Sequence, residues 1–170
     1  MRTGHEPPAD PRPTAFGTVF VVAQHLDRLG DIALAPLGLT TKQWLLLAVI
    51  SRTFAGHRPT LSEAAAAYGS SRQNVKVMAR ALEAAGYLRL VPDAVDGRAT
   101  RLEPTARLEV FATPEWRARE ATFFELVFGG FLAEDVTRLA DLLERWLGAV
   151  AAGPLVPSAR VLPNPTPQTD

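Results

Sequence analysis

The stretch TLSEAAAAYGSSRQNVKVMARALEAAGYLRLVPDAVDGRATRLEPT, residues 60–105, decides the fold. Thr60 and Glu63 have capping-box spacing, in which hydroxyl and carboxylate each accept an N–H that the start of a helix leaves unpaired. They open a short alanine-rich helix that Gly69 stops. Ser70 or Ser71 caps the next helix, which runs to about Ala85 with Gly86 as its C-terminal stop. The pattern then changes to a strand over 87–91, a turn rich in Pro, Asp and Gly over 92–97, and a second strand over 98–102.

Working outward, Thr40 and Gln43 repeat the capping-box pair, so a helix starts near Thr41 and ends before Gly56. Before it, Phe16, Val19, Ala23, Leu26, Gly30 and Ala33 recur at alternating spacings of three and four, which makes residues 14–34 a helix with one apolar stripe. A helical period returns from Pro104, is kinked or interrupted at Pro114, and ends at Gly129-Gly130. The last helix, about 133–151, carries Val136, Leu139, Leu143, Trp146 and Val150 along one seam. Glu134 and Asp135 at its start complement the helix dipole. Nine of the fourteen prolines lie in the two ends of the chain, so 1–13 and 153–170 read as disordered tails around a folded part at 14–152.

Composition excludes whole classes of chemistry. With no cysteine there are no disulfides, thiolate metal sites or thiol sensors. The two lysines, Lys42 and Lys76, do not follow a glycine, so no Gly-Lys-Ser/Thr phosphate loop exists. There is no G-x-G-x-x-G. None of the five serines sits in a G-x-S-x-G elbow, and His5, His25 and His57 lack the i, i+4 pairing of a zinc-binding helix. An enzyme is therefore not expected, and neither a catalytic residue, a metal site nor a cofactor is assigned. No apolar run approaches the roughly 18 residues of a membrane span, and residues 1–13 lack the apolar stretch of a signal peptide. A cytoplasmic protein without membrane contact is the expectation.

Helix, tight turn, helix and hairpin together make a winged helix-turn-helix, mainly α with a small β-hairpin wing, whose second helix enters a DNA major groove. In the helix from Ser71, Val75, Met78, Ala79 and Leu82 share an inward face. Gln73, Lys76, Val77 and Arg80 face outward, with Arg72 and Asn74 on the flanks. Arg and Lys donate to guanine, Asn and Gln pair with adenine, and Ser70 or Ser71 at the N-terminus meets a phosphate. Thr60 and Arg101 complete the candidate DNA contacts. The neutral total conceals a basic segment: residues 57–101 hold seven Lys/Arg against four acids, a local +3, and the remainder of the chain carries −3. That pattern fits phosphate neutralisation, and by itself fits an ordinary solvated helix face equally well.

Taken with GLTTKQWLLLAVI and EDVTRLADLLERWL, this organisation resembles the MarR family of bacterial transcription regulators over about residues 14–150. Gly69, Ser71, Val75, Leu82, Gly86, Asp96 and Arg98 fall where that family's pattern has such residues. The resemblance implies a homodimer on double-stranded DNA with an inverted-repeat operator. Its first and last helices (14–35 and 104–152) interlock through Phe16, Val19, Leu26, Val136, Leu139, Leu143, Trp146 and Val150, outside a winged-helix lobe at 40–103. It also implies that Asp96-Gly97-Arg98 aims the arginine at the minor groove, with Asp96 holding the guanidinium. A small aromatic or anionic ligand would bind a cleft lined by Phe20, His25, Trp44 and Trp116. Val77, Ala64 and Pro104 depart from the family's usual residues. The alternative is an architectural or protein-interaction module with weak, nonspecific DNA binding.

Overall fold

A computed structural model describes residues 10–152. Its order is α1 (Arg12–Leu34), a 3-10 turn (Ala35–Leu37), α2 (Thr41–Thr53), α3 (Leu61–Tyr68), α4 (Arg72–Ala84), β1 (Leu88–Pro92) and β2 (Thr100–Pro104). A 3-10 segment (Ala106–Ala112), α5 (Pro114–Phe128) and α6 (Ala133–Ala152) follow. The chain divides into one unit ending at Phe124 and a second beginning at Glu125. Of the tails expected at 1–13 and 153–170, residues 1–9 and 153–170 lie outside the described residues.

Local chemistry sets the boundaries. Both capping boxes form: Gln43 N–H donates to Thr40 Oγ1 at 3.3 Å and Thr40 N–H to Gln43 Oε1 at 2.9 Å. At α3 the corresponding distances are 3.2 Å for Glu63 N–H to Thr60 Oγ1 and 2.7 Å for Thr60 N–H to Glu63 Oε2. Gly69, at φ 72°, supplies the left-handed residue that ends α3 and lets α4 begin three residues later. Where the sequence leaves Ser70 and Ser71 open as caps, the structure chooses Ser71, whose Oγ accepts the Asn74 N–H at 3.1 Å.

Three boundaries differ from the sequence reading. Helix α1 starts at Arg12, inside the stretch assigned to the tail, because Pro13 falls in its first turn, where a missing N–H costs nothing. The strands lie at 88–92 and 100–104, antiparallel with Leu90 opposite Leu102, so the turn between them is longer than expected. Pro104 ends β2 instead of opening a helix. Thr105 caps the following 3-10 segment, accepting the Arg107 N–H at 3.2 Å, and Pro114 opens α5 with Thr113 Oγ1 accepting the Trp116 N–H at 3.2 Å.

The core of the first unit is Leu34, Leu39, Leu46, Leu47, Ile50, Leu61, Ala64, Ala65, Val75, Met78, Ala79, Leu82, Tyr87, Leu88, Leu102 and Trp116. Leu108, Val110 and Phe111 of the 3-10 segment pack against it, so the lobe continues well past residue 103. The Phe16–Ala33 stripe of α1 also splits in two. Phe16, Val19 and Phe20 are exposed, whereas Leu26 and Ala33 are half-buried and Gly30 and Leu34 are buried. Gly30 is where α1 crosses α2: a Cβ there would stand 2.4 Å from Thr41 Oγ1 and 3.2 Å from Thr41 Cβ. Thr41 is itself fixed, its Oγ1 donating to the Asp27 carbonyl at 2.8 Å and its N–H to Asp31 Oδ1 at 2.7 Å. The latter bond is the main reason the Asp31 carboxyl sits below its ordinary pKa.

In the second unit, α6 carries Val136, Leu139, Leu143, Trp146 and Val150 at three-four spacing. All but the half-buried Val136 are exposed, together with Leu142 and Leu147.

Gly30→Ala tests the α1–α2 crossing. Alanine gains about 1 kcal/mol of helix propensity, and overpacking against Thr41 costs about 1–3 kcal/mol. The expected outcome in thermal unfolding is a lower Tm, opposite to what propensity alone gives.

Candidate nucleic-acid interface

The amphipathic division of α4 is complete. Val75, Ala79 and Leu82 are fully buried and Met78 nearly so, whereas Arg72, Gln73, Val77 and Arg80 are exposed and Lys76 is half-buried. The inner face anchors the helix on α2 and α3, which leaves the outer face to project as a ridge. Asn74 behaves differently from its expected role as a free base reader. Its Nδ2 donates to Ser70 Oγ at 2.9 Å, so its amide braces the turn before the helix, and its carbonyl oxygen keeps acceptor capacity.

The wing is built around Asp93. This carboxylate is buried and accepts N–H bonds from Val95 and Asp96, both at 2.8 Å, and from Arg101 Nε. These donors, the two backbone N–H groups foremost, hold its pKa down at about 2. Asp93 N–H to Ala99 O at 3.0 Å and Ala99 N–H to Asp96 O at 2.8 Å close the loop, which is why the strands begin later than the hydrophobic pattern suggests. Arg101 also donates from Nη1 to the Arg58 carbonyl at 2.6 Å, and Thr60 bridges to Arg101. With Leu102 N–H donating to Pro59 O at 2.8 Å, the segment before α3 becomes a short third edge of the sheet.

Two expected roles change accordingly. Arg101 faces the interior of the wing and is a structural anchor. Asp96 does not hold the Arg98 guanidinium: its Oδ1 accepts the backbone N–H of Arg98 at 3.0 Å. In a tight turn the nearest donor to an aspartate is the N–H two residues on, and that bond wins over a long flexible side chain. The Arg98 side chain is exposed at the wing's end.

The ion pairs sort the basic segment. Arg58 Nη2 and Arg89 Nη2 lie 2.8 and 3.2 Å from Glu103 Oε1, and Arg101 is paired with Asp93. Arg72, Lys76, Arg80 and Arg98 have no acidic partner among the described residues. Within residues 57–101 the uncompensated Lys and Arg are therefore those of α4 and the wing tip, the two places that reach a duplex in a winged helix. Thr60 and Ser71 use their oxygens as helix caps, and each keeps a hydroxyl proton to donate.

The ligand residues expected from the sequence do not all converge. Trp44 and Trp116 share a cavity of about 260 Å³ with Leu47, Ala48 and Ser51 of α2, Leu108 and Phe111 of the 3-10 segment, and Glu120 of α5. Phe20 and His25 are exposed on α1 and form no part of its wall. The spacing 44, 47, 48, 51 is a helical stripe, a signal that marks one wall only once the other helices are placed.

Comparison with known proteins places this geometry. Residues 37–99, from the corner before α2 to the end of the wing turn, match the MarR family. The transcriptional activatory protein BadR of Rhodopseudomonas palustris is 31% identical over 132 residues, spanning 75% of this chain and 73% of BadR. The chain belongs to the MarR family. Two solved structures share the fold at lower identity. A MarR transcriptional regulator from Methanosarcina mazei Go1 has a TM-score of 0.70 at 14% identity, covering 81% of this chain and 96% of that one. A MarR-family regulator from Rhodococcus sp. RHA1 has a TM-score of 0.68 at 17% identity, covering 85% and 96%. As a member of this family the chain is a DNA-binding transcription regulator and not an enzyme. Among the described residues no single helix is long and apolar enough to cross a membrane.

The Asp93 cluster gives a pH-dependent prediction. A carboxyl lowered from 3.8 to about 2 on folding contributes stability that is fully present above pH 3.8 and is lost as pH falls toward 2. Asp93→Asn removes this contribution. The variant should be less stable than the parent at pH 7, with the gap closing near pH 2, and should show faster hydrogen exchange at the Val95 and Asp96 amides.

Proposed function

We propose that the chain acts in the cytoplasm as a homodimer on an inverted-repeat operator, with α4 in the major groove and Arg98 in the flanking minor groove. Occupation of the Trp44–Trp116 cavity by a small molecule tunes that binding. The observation that carries this reading is that the unpaired Lys and Arg of residues 57–101 all stand on the projecting surfaces: Arg72, Lys76 and Arg80 on the outer face of α4, and Arg98 at the wing tip. Within residues 57–101 the other arginines, Arg58, Arg89 and Arg101, are neutralised by Glu103 and Asp93, which leaves the projecting ones as the charge available to a polyanion.

In this reading Gln73, Lys76 and Arg80 contact base edges, and Val77, 58% exposed, meets a thymine methyl. Arg72, Ser70, Ser71 and Thr60 meet the backbone. Asn74 and Asp96 keep the helix start and the wing turn in shape. A rigid turn delivering one arginine reads the potential of a narrow minor groove.

Dimerisation is supported by the exposed apolar residues of the terminal helices. Phe16, Phe20, Val21 and Val22 on α1, and Leu139, Leu142, Leu143, Trp146, Leu147 and Val150 on α6, are all 38% exposed or more. So many large apolar side chains at helical spacing mark a surface that another chain covers.

Selection of bound duplexes from a random pool tests the DNA reading. The expected product is an inverted repeat bound about 10³-fold or more tighter than random duplex at physiological salt. Arg98→Ala should weaken that complex at least tenfold and lower its salt slope by about one per protomer, leaving Tm near the parental value. Gln73→Ala should alter preference at a defined base pair by about 1–3 kcal/mol. In sedimentation at micromolar concentration the full chain should be a dimer, and Leu139→Arg with Leu143→Arg should give monomer or aggregate.

A further inference from the structure

The cavity beneath α2 has a charge character that narrows what can occupy it. Its walls are aromatic and aliphatic: Trp44 and Leu47 from α2, Phe111 from the 3-10 segment, and Trp116 from α5. Phe111 and Trp116 meet edge to face, with centroids 5.3 Å apart at 81°, so the two rings present differently oriented faces to one space. One turn beyond Trp116, Glu120 supplies the only charged group of the lining, and Ser51 the only hydroxyl. No Lys, Arg or His lines the cavity, and among the described residues no cation lies within ion-pairing distance of Glu120.

We infer that this cavity selects arylalkylamines in their ammonium form, and discriminates against aryl-substituted carboxylates. The inference rests on the reading of the cavity as the ligand site. An ammonium on an aromatic frame gains twice here. Its charge is attracted by the faces of tryptophan, the strongest of the aromatic partners for a cation, and it donates a charge-assisted hydrogen bond to the Glu120 carboxylate. A carboxylate in the same position loses its hydration, finds no cation to replace it, and is repelled by Glu120. About 260 Å³ exceeds the ~150 Å³ that encloses a benzene and approaches the ~300 Å³ lower end of ligand sites. A one- or two-ring compound is the size that fits.

Three compounds of nearly equal shape separate charge from fit: tryptamine, 3-ethylindole and 3-(indol-3-yl)propionate, titrated by calorimetry into the full-length protein at pH 7. Tryptamine should bind tightest, at least tenfold tighter than the propionate, with 3-ethylindole between them. Glu120→Gln should reduce the tryptamine-to-propionate ratio to about threefold or less, and Glu120→Lys should invert it. Retained binding of 3-ethylindole reports that the cavity is intact in each variant. Equal or tighter binding of the propionate by the parent overturns the inference, as does a tryptamine-to-propionate ratio that Glu120→Gln leaves at the parental value. Failure of all three compounds to bind, or binding indifferent to Trp116→Ala, overturns the ligand-site reading itself and the inference with it.

Discussion

Tyr87 holds the DNA-binding unit together. It is the largest of the fully buried side chains, and its polar atoms reach three separate parts of the fold. The hydroxyl donates to the Leu37 carbonyl at 3.1 Å, fifty residues away, at the corner between α1 and α2. The backbone N–H donates to Leu82 at the end of α4, and the carbonyl accepts from Thr105 as β2 ends. The ring lies 6.1 Å from that of Phe111, inclined to it by 30°, and beneath the Arg107 guanidinium at 4.8 Å. A buried tyrosine must find a partner for its hydroxyl. Here that requirement fixes the α1–α2 corner, the exit of α4 and the start of the wing at one point, so that α4 and the hairpin keep a set angle.

The wing shows the same economy in polar form. Asp93 is buried with the Val95 and Asp96 N–H groups and the Arg101 guanidinium turned toward it, and Arg101 bridges it to the carbonyl of Arg58 on the segment before α3. A carboxylate satisfied by backbone N–H groups and a guanidinium orders its turn without apolar burial. That suits a hairpin too small to have a core of its own. Glu103, two residues beyond Arg101 and on the same face of β2, gathers two more arginines. Acids at the base of the wing thereby cancel the cations that support it and leave those that project.

Much of this is legible in the sequence. Capping residues act over three or four positions, so Thr40, Thr60 and Ser71 announced their helices, and the period of α4 announced its inner face. What escaped the sequence depends on distance. Arg58, Arg98 and Arg101 are the same residue type in one basic stretch, and only the fold shows two paired and one free. The strand register slipped because the Asp93 hydrogen bonds extend the turn to Ala99, against the apolar pattern. Residue type alone puts Phe20 and His25 beside Trp44 and Trp116, whereas Leu108, Phe111 and Glu120 join the cavity through a stretch whose packing no short window reveals. The spacing of the α1 stripe predicts one surface, whereas the buried Gly30 turns its second half inward onto Thr41.

The sharp division of α4 bears on how such a regulator changes its target over evolutionary time. Substitutions at exposed positions free of special contacts typically shift stability by only about ±0.5 kcal/mol, and effects of separated sites add. Gln73, Val77 and Arg80 share no hydrogen bond or ion pair with the core they ride on. A gene duplicate could therefore drift through many combinations at these positions, acquiring a different operator, while each intermediate still folds. The buried residues one position away permit no such exploration, so adaptability and constraint alternate along a single thirteen-residue helix.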